Sequence, residues 1–74
     1  MDRAALQQLL HEVEGRLQRE EINIAQQRET IGKLERCGQD ATAAKLFLRR
    51  LESQQARHIA DRNRLFKEWA DTPR

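Results

Sequence analysis

Among the 74 residues, His58 and Asp61 have the spacing that metal chemistry would ask for: three apart, on one face if the segment is helical. Two ligands do not make a site, since a zinc centre needs three or four from the protein. No Glu-x-x-His pair and no second histidine at a useful interval complete the set. His58 is therefore read as a histidine of a packed seam, satisfied by a neighbour such as Glu20, and no metal is expected. Cys37 has cationic neighbours in Lys33 and Arg36, which favour a thiolate. It also stands where a helix should end, and there the dipole opposes an anion. With no second cysteine and no histidine-paired nucleophile, it reads as an ordinary thiol. Ser53, the only serine, has no constellation around it, and no glycine-rich phosphate loop is present. No catalytic, cofactor-binding or metal residue is assigned, and the chain is read as non-enzymatic.

Charge suggests a second kind of chemistry. Fourteen basic and twelve acidic side chains give a net charge of +2. Residues 1–37 are slightly acidic, whereas 38–74 are basic through Arg49, Arg50, Arg57, Arg62, Arg64 and Lys67. A phosphate-binding face needs several such cations aligned and free of acids. Glu52, Asp61 and Glu68 are interleaved with them, so nucleic-acid binding ranks behind a protein–protein role. No apolar run is long enough for a secretory leader or a membrane span, and Glu20, Gln27, Gln55 and Arg62 interrupt any face that could lie on a bilayer. The lone cysteine points to a reducing compartment, so a cytoplasmic location is expected.

The elements that must position these residues are helices. Three glycines and one proline, Pro73, leave few places to stop. The one interior break is Cys37-Gly38-Gln39-Asp40-Ala41-Thr42, where Gly38 suits a helix C′ position and Asp40 a following N-cap, with Thr42 as the competing cap. One domain is expected over 1–74: a helix over 3–37, a turn over 38–40 and a helix over 41–70. A short connection makes the two antiparallel neighbours. The fold class is all-α, a coiled-coil-like antiparallel hairpin.

Intervals alternating between four and three define the inner seam of each helix. In the first it is Leu6, Leu10, Val13, Leu17, Glu20, Ile24, Gln27, Ile31 and Leu34. In the second it is Ala44, Leu48, Leu51, Gln55, His58, Arg62, Leu65 and Trp69. Two registers suit the turn. One sets Val13 against Arg62 and Gln27 against Leu48. The other pairs Gln27 with Gln55, Ile24 with His58, Glu20 with Arg62 and Val13 with Trp69. Because unpaired buried polar groups are costly, the second register is expected, with Glu20, Gln27, Gln55, His58 and Arg62 as its register-setting residues.

That seam leaves apolar side chains over. Leu6, Leu9, Leu10, Phe47, Ile59, Phe66 and Trp69 form the candidate interaction surface, with the leucines and Phe66 and Trp69 clustered at the open end. Two helices bury too little to offset an ordering cost of about 1.5 kcal/mol per residue. Pairing of two hairpins into a four-helix bundle is the expected remedy, giving a homodimer that serves as an interaction or assembly module; a covering partner protein is the other.

Two stretches also carry a family likeness. Ala25-Gln26-Gln27-Arg28-Glu29-Thr30-Ile31, then Lys33-Leu34-Glu35-Arg36 and Gly38-Gln39-Asp40, together with His58-Ile59-Ala60-Asp61-Arg62-Asn63-Arg64-Leu65, resemble a group of short uncharacterised proteins from rhizobia and related alphaproteobacteria. The likeness covers roughly residues 22–66. It departs at Cys37 and Gln39, where Asp and His would be expected, and at Asn63, where Asp is usual. The resemblance implies a bacterial, hairpin-forming protein and carries no activity with it.

Overall fold

A computed structural model describes residues 2–73. Two helices, α1 (Arg3–Arg36) and α2 (Thr42–Asp71), pack side by side as an antiparallel rod of 57 × 15 × 12 Å. The element ends lie within one residue of those expected. Asp2 caps α1, accepting from the amide of Ala5 at 2.7 Å. No helix is long and apolar enough to cross a membrane among the described residues.

The joint is built as its residues suggest at one end and differently at the other. Gly38 has φ +70°, and the amides of Gly38 and Gln39 return to the carbonyls of Glu35 and Leu34. This paired closure satisfies carbonyls that the end of α1 would otherwise leave unpaired, and it needs the left-handed residue that glycine supplies without strain. On the α2 side the cap position is Ala41, not Asp40. Asp40 still accepts from the Thr42 amide at 2.9 Å, and the Thr42 hydroxyl, expected as a rival cap, donates to the same carboxylate oxygen at 2.6 Å. The Thr42 hydroxyl, then its amide, with a smaller contribution from Lys45, hold the Asp40 carboxyl below its ordinary range.

The seams emerge as read. Leu6, Leu10, Leu17, Ile24 and Ile31 of α1 are buried, with Ala41 closing the turn end. All eight seam residues of α2 are half-buried and none fully so.

The register is not the expected one. Glu20 meets His58 rather than Arg62, Gln27 Nε2 donates to the Ala44 carbonyl at 3.0 Å rather than facing Gln55, and Arg3, not Val13, holds Trp69. Relative to expectation α2 has slid toward the α1 N-terminus, by up to about one heptad, or about 10 Å. The reason is that polar seam residues are long and find partners off their own layer: a backbone carbonyl for Gln27, Asn63 for Arg62. Apolar ends have no such freedom. The expected register would leave Leu6, now 2% exposed, and Leu10 uncovered, forfeiting about 1.5–3 kcal/mol for each leucine. Coverage of hydrocarbon outweighed the matching of polar layers.

Candidate interaction surface

One edge of the hairpin sets its character in steps of a heptad. From the turn outward, Glu35 stands with Lys45, Arg28 with Glu52, Glu21 with Ile59 and Glu14 with Phe66, each helix contributing the same heptad position at every step. The first two are ion pairs, at 3.1 and 3.2 Å. In the last two a carboxylate shares a hollow with an apolar side chain. Glu14, Leu17, Glu21, Gln55, Ile59 and Arg62 line one hollow; Gln7, Leu10, His11, Glu14, Phe66 and Trp69 line the main walls of the next. Glu14 belongs to both, so the two are continuous.

Ile59 is 36% exposed and Phe66 56% exposed, above buried Leu17 and Leu10. Phe66 leans on Trp69 with ring centroids 5.8 Å apart. Trp69 is fixed from the other side by Arg3, whose guanidinium lies 4.0 Å from the ring centroid and donates to the carbonyls of Trp69 (3.0 Å) and Thr72 (2.9 Å). A cation in the first turn of α1 opposes its own helix dipole. It is stabilised here by the negative end of α2, whose last carbonyls it satisfies. That mismatch was the one sequence signal for this clasp.

Of the seven candidate surface residues, the structure presents three and removes two. Phe47, Ile59 and Phe66 are exposed, while Leu9 and Trp69 are half-buried. Leu6 and Leu10 are buried beneath the end of α2, so the open-end leucine cluster is corrected: these two seal the seam and cannot meet a partner. Phe47 stands on the opposite edge from Ile59 and Phe66, near Gln27 and Leu51. The surface missed by the sequence reading is the carboxylate border, Glu14 and Glu21. Their placement beside Ile59 and Phe66 depends on register.

The other candidate chemistry is absorbed locally. His58 Nδ1 is hydrogen-bonded to Glu20 Oε1 inside the seam, as a satisfied seam histidine would be. Glu20 Oε2 and Trp69 Nε1 are buried with no partner among the described residues. Cys37 is exposed at the turn, and His11 is exposed on α1. Among the described residues no three His, Cys, Asp or Glu side chains stand close enough to hold a metal ion. Comparison of the chain with family models, with curated proteins and with solved structures finds no match in any of the three.

Proposed function

We propose that the chain is a small non-enzymatic interaction module that works as a homodimer, two hairpins pairing through the edge that carries Ile59 and Phe66. The observation that carries this reading is the amount of surface left open. The hairpin exposes 5856 Å². A compact monomer of its mass would expose about 4,700 Å². The excess, about 1,100 Å², is on the scale of one side of a stable interface, about 800 Å² per partner. A two-fold axis through the open half sets Ile59 of one copy against Phe66 of the other. The resemblance to alphaproteobacterial proteins and the lone exposed thiol support a bacterial cytoplasm as the setting.

The test is the solution mass of untagged, reduced protein across a range of concentrations. A dimer is expected, and Ile59→Lys with Phe66→Lys should convert it to a helical monomer, since both lysines then face glutamates as Lys45 faces Glu35. A wild-type monomer at every concentration, or a double variant that remains dimeric, overturns the reading.

A further inference from the structure

The outer face of α2, turned away from α1, has a distinct composition. Along α2 its three outward heptad rows hold Arg49, Arg50, Arg57, Arg64 and Lys67, with Asp71 at the helix end as their one acidic residue. The acids interleaved in sequence fall elsewhere. Glu52 lies on the inner edge, accepting from Arg28, while Asp61 and Glu68 lie on the other edge. Asp61 reaches over to Arg64 at 2.8 Å, but none of the described ion pairs involves Arg49, Arg50, Arg57 or Lys67. Leu46, Arg49, Arg50, Ser53, Gln54 and Arg57 line a shallow hollow on this face. Ser53, Ala56 and Ala60 keep the helix surface low between the cations.

We propose that this outer face of α2 binds the phosphodiester backbone of nucleic acid. Three things favour phosphate over an acidic protein. Four of the five cations are arginines, whose planar fork takes two oxygens of one phosphate. The low floor lets a backbone approach the helix between them. Leu46 is the one large exposed apolar side chain on the face, too little hydrocarbon to hold a protein helix, whereas counterion release supports polyanion binding without apolar burial. The face is separate from the Ile59–Phe66 edge, so the proposal stands whether or not the hairpin pairs with itself; in a dimer it would be presented twice.

Fluorescence anisotropy of the full chain with a 20-base-pair duplex DNA and with a 20-nucleotide single-stranded RNA, over about 25–300 mM salt, tests it. Four unpaired cations predict a slope of log affinity against log salt near −3.6 per face on duplex and −2.8 on single strand, and the two arms show which backbone is preferred. Arg50→Glu with Arg57→Glu should weaken binding at least tenfold while solution mass and helical signal stay unchanged. Arg16→Glu with Arg19→Glu, the same charge change on α1, should alter it less than twofold. No binding at the lowest salt overturns the proposal. So does equal loss in the α1 variant, which would make net charge the cause, or competition by polyglutamate as effective as by nucleic acid at matched charge, which would make the face a site for acidic protein.

Discussion

The two halves of a single edge behave differently although their heptad positions are the same. Near the turn, Glu35 with Lys45 and Arg28 with Glu52 close the edge with opposite charges. Toward the open end, Glu21 beside Ile59 and Glu14 beside Phe66 form none of the described ion pairs, although Arg62 lines the hollow that the two carboxylates share. The ion pairs are exposed and add little, about 0.2–1 kcal/mol each, so the difference is not one of rigidity. What differs is what remains for something else to contact. The turn half closes its edge with ion pairs and the open half does not, which is why the proposed interaction surface lies in the open half.

The largest expected effect separates core from edge within these halves. Leu10→Ala, beneath Phe66, should destabilise the fold by about 2–4 kcal/mol in urea unfolding followed by helical signal. Arg28→Ala should lose less than about 1 kcal/mol in the same assay. Equal losses would mean that the ion-paired half holds the hairpin as firmly as the seam does.

Next comes an attempt to erase the contrast. Lys45→Ile with Glu52→Phe carries the apolar stripe through to the turn, and should tighten self-association at least tenfold, about 1.4 kcal/mol, in sedimentation equilibrium. Unchanged association would show that the open half alone sets the affinity, or that another surface does.

Arg3→Ala removes the clasp over Trp69, with a loss of about 1–2 kcal/mol from its cation–π contact and carbonyl bonds. Amide exchange should accelerate at Trp69 and Thr72 while the amides around Gly38 keep their protection. Uniform acceleration along α2 would place the effect in the whole seam instead of at the open end.

The smallest effect concerns the turn. The folded-state value of Asp40 is depressed, so its contribution to stability is present above the ordinary carboxylate range, near 3.9, and is lost as pH falls through the lower folded value. Asp40→Asn should lower the melting temperature slightly at pH 5, and the gap from wild type should close as acid protonates the carboxylate in the folded protein. A gap that persists in acid would mean that the lost term is geometric and not the carboxylate charge.

Much of the fold could be read from the residues. The seams depend on side chains recurring every 3.5 positions, a local property of each helix, and every α2 seam residue is among the half-buried ones. Gly38 marked the joint because few residues but glycine tolerate its backbone angle. Of the surface, Ile59 and Phe66 were legible as apolar residues left outside the seam. Leu6 and Leu10 were misplaced because their exposure hinged on how far α2 reaches along α1. Arg3 was missed because its meeting with the Trp69 ring and with the carbonyls of Trp69 and Thr72 depends on how far α2 reaches along α1, and carbonyl partners leave no trace in residue type.

The sequence by itself determined that two helices form, where they turn back and which stripe of each faces inward, because those follow from propensity, capping and period within short segments. Register, and with it the identity of the open surface, was decided only in the tertiary structure. Sliding one helix along the other by a heptad preserves every periodicity, so the local pattern is nearly indifferent between the two placements. The choice rests on a difference between long-range contacts, and there the cover that Trp69 and Arg3 give to the open end outweighs a tidier pairing of Glu20 with Arg62.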